Sequence, residues 1–292
     1  MKKINILHPG SKFKWAYNFG YWSPINFFKD EIRESGYEIN YFNRINNNFF
    51  NADFIFIASR YFTDSNIIKT KKKLGIKTEF KLEEKIKKIS KINPNIIWFD
   101  LSDSVGTTAF EIMPYIKKYA KNQLYSDISN YKKNFFRNRI YADYYQNKFK
   151  LEKNLTFNYK FLENKFENKL VQSWNIGVGN YFDCINRNIF DKNFCVLKGF
   201  LSGFQKKDFK KSLKMNSQNI RENDIFIKSN LRLNSKKKSI FFQRYLVSKI
   251  LNEKYGLKDI EKRINHKKYL KSLANSKVSV GSFGWGEICY RE

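Results

Sequence analysis

Short apolar runs alternate with helical patterns over the first 180 residues of the chain. The runs have the length and the β-branched and aromatic content of buried strands. Six strands are predicted, at residues 3–7, 37–42, 53–58, 95–99, 119–122 and 171–176. Helices are predicted from Pro24 to the Ser35-Gly36 pair and over residues 82–92. Strands that alternate with helices predict a parallel, Rossmann-like sheet.

A second pattern of the same kind begins after residue 221. Strands are predicted at 224–227 and 277–280, and helices at 241–255 and 266–274. Residues 124–167 are expected to be mainly helical or irregular, and residues 181–221 have weak periodicity. The sequence therefore predicts an α/β protein with two Rossmann-like domains, at 1–180 and 222–292. Residues 181–221 would form a linker or insertion, and the second domain is expected to be incomplete.

The charge of the chain changes this picture only in part. The 292 residues carry a formal net charge of +29, from 56 basic and 27 acidic side chains. The excess is Lys rather than Arg and is scattered, and Lys, Asn, Ile, Phe and Tyr together share A/T-rich codons. The densest stretch, 69–91, carries ten lysines. We interpret it as a solvated helix face or as a surface for anionic lipid headgroups, with a nucleic-acid groove as the third alternative.

The expected location of the protein and the redox state of its cysteines are inferred from sequence signals that the chain lacks. The sequence has no run of about 18 apolar residues, and its first apolar stretch is too short for a secretory signal. The three cysteines form no CxxC motif, which favours reduced thiols and no metal site. We therefore expect a cytoplasmic protein, with peripheral contact at the inner face of the plasma membrane as a possibility.

Candidate chemistry is concentrated after the last predicted strand. Gly281, Gly284 and Gly286 permit a tight turn, whose backbone N–H groups suit a phosphate or a sugar hydroxyl. Glu287 would accept hydrogen bonds from hydroxyls, and Arg291 would offer its planar guanidinium to a phosphate. The alternative is an ordinary turn followed by a surface ion pair four residues apart.

Asp100 and Asp103 form a second group, because both follow the strand at 95–99. Carboxyl ends of parallel strands are where such sheets bind ligands. One of the two acids could act as a general base, with Ser104 nearby; the alternative is a polar cap on the next helix. His8 follows the first strand in the same way, although a buried structural histidine is the alternative.

The run Ser-Phe-Gly-Trp-Gly-Glu-Ile-Cys-Tyr-Arg-Glu, from Ser282 to Glu292, resembles the donor-site segment of GT-B-type glycosyltransferases. The resemblance is to the bacterial envelope-polysaccharide group related to families 1 and 4. Gly281-Ser282 stands where Ser-Pro is commoner, and Glu292 stands where Asp is commoner. The second glutamate of the family's donor-binding pair is absent from these 292 residues, so we expect a truncated enzyme with impaired activity.

Three further segments are similar to the same family and occur in the same order. They are the acidic, hydroxyl-rich turn at 99–108, the stretches 121–124 and 141–145, and the helix start at 239–244. The resemblance implies two Rossmann-like domains that face each other across a cleft. It also implies a nucleotide-diphosphate-sugar donor, a glycan or lipid-linked acceptor, and no cofactor or metal ion.

These considerations assign candidate roles to twelve residues. The donor-binding candidates are Glu287, Arg291, Arg244, Gly284, Gly286 and Ser282; the catalytic candidates are Asp100 and Asp103; the acceptor-binding candidates are His8, Gly10, Asn18 and Ser104. Arg244 would neutralise the leaving diphosphate, and a solvated helix residue is its alternative. The rival function is a non-catalytic basic module that binds nucleic acid or anionic membrane. For the transferase, we do not expect nucleic acid as a partner.

Overall fold

A parallel sheet of six strands forms the first half of the protein. The computed structural model describes residues 1–8, 21–22, 24–25, 28–63, 81–153, 160–174, 221, 223–229, 231, 237–258, 260–262 and 264–282. The six strands are β1 (Lys2–Leu7), β2 (Tyr37–Phe42), β3 (Phe54–Ala58), β4 (Ile96–Asp100), β5 (Lys118–Lys121) and β6 (Leu170–Gln172). The strands β1 to β5 each begin and end within one residue of a predicted strand, whereas β6 ends four residues before the end of the predicted 171–176 run.

The helices flank these strands. They are α1 (Lys29–Glu34), α2 (Asn47–Phe50), α3 (Arg60–Thr63), α4 (Leu82–Ile92) and α5 (Ile140–Phe149), with 3-10 turns at Phe110–Tyr115, Ile128–Lys132, Phe136–Asn138 and Asn164–Lys169. The predicted bounds of α4 are confirmed. Its Ile86 and Ile89 are buried, whereas its lysines face outward, as expected for an amphipathic helix.

The order of the strands locates the ligand-binding edge of the sheet. The order is β2-β1-β3-β4-β5-β6, and every neighbouring pair is parallel. The chain moves outward from β1 to β2 and then returns past β1 to β3, so the order reverses between β1 and β3. In open α/β sheets, ligands bind beyond the carboxyl ends of the strands near such a reversal. The residues that follow β1, β3 and β4 are therefore the first place to look for a site.

Both faces of the sheet are covered by apolar side chains. Successive residues of a strand point to opposite faces, so Ile57 and Trp98 enter one core and Ala58 and Phe99 enter the other. The first core includes α4 and the 3-10 turn at Phe110–Tyr115. The second contains an aromatic group in which Tyr21, Trp22 and Trp174 pack around Phe99. Burial on two faces explains why the central strands β3 and β4 are almost continuous apolar runs.

A second, two-stranded parallel sheet lies further along the chain. It consists of β7 (Asn223–Phe226) and β8 (Ser276–Ser279), joined through α6 (Lys238–Tyr255) and α7 (His266–Ala274). The predicted bounds of α7 are confirmed, and α6 begins three residues before its predicted start. Thus the α/β class and the parallel sheet are confirmed. The division into two domains stays a prediction, and residues 181–220 of the predicted linker lie outside the described residues.

Candidate functional site

The carboxyl edge of the six-stranded sheet brings together polar residues from five strands. His8 follows β1, Ser59 and Arg60 follow β3, and Asp100 ends β4. Lys121 ends β5, and Ser173 follows β6. Because all the strands are parallel, these residues meet at one edge.

Asp100 is the centre of a buried hydrogen-bond network. It is only 2% exposed, and Lys121 is fully buried. The Lys121 Nζ donates to Asp100 Oδ2 at 3.0 Å and to the Thr107 carbonyl at 2.9 Å. The Tyr119 hydroxyl donates to the same Oδ2 at 2.7 Å, while the backbone N–H and the hydroxyl of Ser102 donate to Oδ1. A buried charge is tolerated only when it is paired and hydrogen-bonded, and these contacts meet that requirement.

The network fixes the turn that follows β4. Tyr119 accepts a hydrogen bond from the Ala109 N–H at 2.9 Å, and Lys121 holds Thr107. Burial, followed by the neighbouring negative charge of Asp100, raises the pKa of Tyr119 well above its ordinary value, so its hydroxyl remains a donor. Asp100 thus organises residues 101–109 and presents Asp103 on the surface.

Asp103 is the accessible acid of this turn. Its side chain is 33% exposed, and its Oδ1 lies 3.5 Å from Nη2 of Arg60. The same nitrogen lies 3.5 Å from the Leu101 carbonyl. An arginine that follows β3 therefore reaches the loop after β4 and places a cation beside a carboxylate at the sheet edge. Such a pair can orient a hydroxyl-bearing or phosphorylated ligand.

Ser104 faces inward. It is 1% exposed, and its hydroxyl donates to the Asn138 carbonyl at 3.0 Å. Gly106 lies against the same segment, because a Cβ at this position would be 2.4 Å from the Asn138 carbonyl oxygen. The turn after β4 is thus packed against residues 135–139, which gives it a defined shape.

His8 and the aromatic residues near it are also largely buried. His8 is 5% exposed, and its ring meets Tyr41 edge to face at 5.9 Å. Tyr21 shares a hydrogen bond with the Ser173 hydroxyl at 2.8 Å, and its carbonyl accepts from the Trp174 indole. Burial raises the pKa of Tyr21. Tyr21 is 2% exposed and belongs to the second core of the sheet.

A second charged cluster joins the first half of the chain to α6. Glu152 accepts hydrogen bonds from the backbone N–H of Ser239 at 2.8 Å and from its hydroxyl, and it forms an ion pair with Arg137. Burial opposes ionisation of Glu152, but the bonds from Arg137 and Ser239 outweigh it and lower its pKa. Burial and the cations Arg137 and Arg139 lower the pKa of Lys237. The Glu152 carboxylate thus lies against the amino end of α6, where the helix dipole favours negative charge.

Apolar contacts between α5 and α6 surround this cluster. Tyr141 and Ala142 of α5 pack with Ile240 and Phe241 of α6. Arg244 of α6 is 6% exposed and lies over the Phe241 ring at 5.2 Å. Its predicted alternative, a solvated helix residue, is therefore not what the structure shows.

Ser282 follows β8 and is 5% exposed. Its hydroxyl is 3.1 Å from that of Ser229, which follows β7. Ser282 thus lies at the carboxyl edge of the small sheet, where a ligand of a parallel sheet would be expected. The other donor candidates, Gly284, Gly286, Glu287 and Arg291, lie outside the described residues, as do Gly10 and Asn18 of the acceptor group.

Three residues of the carboxyl edge were not among the predicted site residues. Arg60 lies two residues after the predicted strand at 53–58, nearer to a strand end than Asp103 does, so the same rule would have found it. Lys121 gives no such signal, since a lysine in a polar sequence is normally solvated. Asn122 is 1% exposed, and its side-chain amide has no hydrogen-bond partner within the described ranges. A buried amide of this kind is suited to a ligand or an ordered water.

Comparisons with known proteins do not identify a family for this chain. No family model, no curated protein and no solved structure matches it. Within the described segments, no group of three or more His, Cys, Asp or Glu side chains could hold a metal ion. No helix in these segments is both long and apolar enough to cross a membrane.

Proposed function

We propose that this protein is a glycosyltransferase that moves a sugar from a nucleotide-diphosphate donor to a hydroxyl of a surface glycan, such as a lipopolysaccharide or capsule-like polymer. The observation that carries the proposal is the Asp103–Arg60 pair at the carboxyl edge of a parallel sheet, beside its strand-order reversal. The second parallel sheet, with Ser282 at its own carboxyl edge, supports a GT-B arrangement of two Rossmann-like domains.

Asp103 is the better of the two candidate bases. A general base must reach the proton that it removes, and Asp103 is partly exposed whereas Asp100 is enclosed by donors. The acceptor oxygen would bond to the anomeric carbon, its proton would pass to Asp103, and the bond to the donor diphosphate would break. We assign Asp100 to holding the loop in place. Arg60 orients the Asp103 carboxylate.

The donor half of the site rests on the sequence resemblance. Glu287 and Arg291 would hold the nucleotide sugar, and Arg244 would face the leaving diphosphate. The buried position of Arg244 over Phe241 gives its guanidinium a fixed orientation. On this proposal the reaction needs no cofactor, and basic groups with helix N-termini stabilise the leaving group.

Thermal-shift titration with a panel of UDP- and GDP-sugars tests the proposal. A ligand that binds only the folded state raises the free energy of unfolding by RT ln(1 + [L]/Kd), so the melting temperature rises with ligand concentration. A shift with one nucleotide sugar, followed by transfer that falls about 10²–10⁴-fold in Asp103→Asn, is the expected result. The matched control is Glu34→Gln, an exposed acid that lies just before the start of β2, at the opposite edge of the sheet. Failure of every donor to shift the transition would overturn the proposal.

The rival is a basic binding module without catalysis. It predicts that affinity for DNA or RNA falls steeply with salt concentration and that nucleotide sugars give no protection. Tight nucleic-acid binding together with no response to any donor would favour that rival.

A further inference from the structure

The edge of the sheet opposite the candidate site carries an unusual concentration of lysine. The residues at or just before the amino ends of β1, β5 and β6 include Lys2, Lys3, Lys117, Lys118 and Lys169. Lys91 lies in the last turn of α4, which leads into β4. We refer to these six residues as the lysine edge. Two acidic residues lie near this edge: Asp53, directly before β3, accepts a hydrogen bond from the backbone N–H of Lys3 at 2.7 Å, and Glu167, two residues before Lys169, pairs with Lys132.

The parallel pairing makes the lysine edge a continuous surface. Ile4 pairs with Phe54, Ile55 with Ile96, Ile97 with Lys118, and Tyr119 with Leu170. Five strands therefore begin side by side from β1 to β6. At a strand spacing of about 4.8 Å they span roughly 20 Å. A cationic row of this length matches a surface rather than a single small anion.

The ammonium groups of the lysine edge are not neutralised by carboxylates. Within the part of the chain that the structure describes, none of the six forms an ion pair. Lys117 Nζ contacts the Asn95 side-chain oxygen, Lys118 Nζ donates to the Asn168 carbonyl, and Lys169 Nζ donates to two carbonyls. Lys2, Lys3, Lys91 and Lys117 are exposed, so their positive charges remain available to an external partner. Elsewhere, Lys132 and Lys165 do form ion pairs.

Apolar residues are exposed in the middle of this row. Ile92, next to Lys91, is 63% exposed, and Pro94 and Pro114 are exposed as well. The two prolines, with Tyr115, line an open depression that Lys117 and Lys169 border. An exposed aliphatic side chain between cations is typical of proteins that lie on a bilayer, where lysines meet headgroups and the apolar group enters the acyl boundary.

We propose that the lysine edge docks the protein onto an anionic lipid bilayer, with Ile92 at the centre of the contact. The charge complementarity is with the lipid headgroups. A nucleic-acid partner fits less well, because the row contains lysines without arginine and its centre is aliphatic, so it offers neither bidentate base contacts nor a use for Ile92. The carboxyl edge, with Asp103, faces away from the membrane in this orientation.

Co-sedimentation with vesicles tests the proposal. The full chain is mixed with phosphatidylcholine vesicles with and without phosphatidylglycerol. The triple variant Lys2→Gln/Lys91→Gln/Lys117→Gln is compared with Lys254→Gln/Lys258→Gln/Lys262→Gln, which removes the same three charges from exposed positions on and after α6. Each lysine near an anionic surface is worth about fivefold in partitioning, so the lysine-edge variant should bind roughly a hundredfold more weakly. The control triple variant should bind almost as the parent does.

The contribution of the exposed Ile92 side chain to membrane binding is tested by comparing Ile92→Ser with Ile92→Leu. Position 92 is exposed, so both variants should fold, which circular dichroism verifies. Ile92→Ser should bind several-fold more weakly and Ile92→Leu as the parent does. Equal losses in the two lysine triples, or equal binding to neutral vesicles, would overturn the proposal. So would tight binding of duplex DNA that is lost only in the lysine-edge variant. The assay needs no sugar donor, so its outcome is independent of glycosyl transfer.

Discussion

The buried ion pair between Lys121 and Asp100 gives the most direct test of how this sheet edge is held together. Replacing Lys121 by Met keeps the aliphatic volume and removes the charge. Asp100 then keeps only the neutral donors Tyr119 and Ser102, and the Thr107 carbonyl loses its donor. Removing one partner of a buried pair typically costs about 3–5 kcal/mol, because the remaining charge stays buried. We expect that cost for Lys121→Met and a similar one for Asp100→Asn.

A double-mutant cycle separates the pair from its surroundings. Replacing both charges leaves no uncompensated ion, so the double variant should be no less stable than the worse single variant. That corresponds to a coupling energy at least as large as the smaller of the two single costs, about 3 kcal/mol or more. The measurement is urea unfolding followed by circular dichroism, with the free energy of unfolding extrapolated to water.

The matched control is Lys132→Met. Lys132 pairs with Glu167 at 2.7 Å, but both side chains are about 40% exposed. A pair of this kind contributes about 0–1 kcal/mol because water screens it. If Lys121→Met cost no more than Lys132→Met, or if the two single substitutions were additive, the buried pair would not organise the edge.

Three other predictions concern single positions. Gly106→Ala should destabilise the protein by about 1–3 kcal/mol in urea unfolding, because the new Cβ meets the Asn138 carbonyl; an unchanged midpoint would contradict this close approach. The lowered pKa of Glu152 implies that its contribution to stability is present above its unfolded value, near 4.5, and is lost as pH falls towards the folded pKa. Glu152→Gln should therefore lose less stability than the parent between about pH 5 and pH 3, and parallel pH profiles would refute this. Arg60→Gln should lower transfer by an amount that is not additive with Asp103→Asn, since the two side chains act as one pair.

The spacing of apolar residues along the chain predicted the helices and strands better than it predicted their arrangement in space. The bounds of α4 and α7 follow from apolar spacing within a single helix, as with Ile86 and Ile89. The strand order could not be predicted in this way, because it depends on contacts between segments that are distant in sequence. Residues 124–167 were expected only to be helical or irregular, and α5 within them has little difference between its faces. Such a helix depends on its neighbours more than on its own pattern.

The residues of the candidate site likewise fall into those that the sequence could predict and those that it could not. Asp103 and Arg60 follow strands, so position along the chain indicates the edge on which they lie. The role of Asp100 could not be predicted, because it depends on Lys121 and Tyr119 of the neighbouring strand. Likewise Glu152 meets Ser239 across 87 residues. A contact between residues so far apart in the chain leaves no periodic pattern in the amino-acid sequence.

The all-parallel pairing also determines how quickly the chain can fold. Each strand pair must wait for an intervening crossover, and the contact between Tyr21 and Ser173 closes a loop of 152 residues. The entropy of such closures is lost before the contacts form, so proteins rich in them fold slowly. Refolding should therefore take milliseconds to seconds rather than microseconds. During that interval the unpaired apolar strands of one molecule can associate with those of another. The yield of refolding should therefore fall as the protein concentration rises.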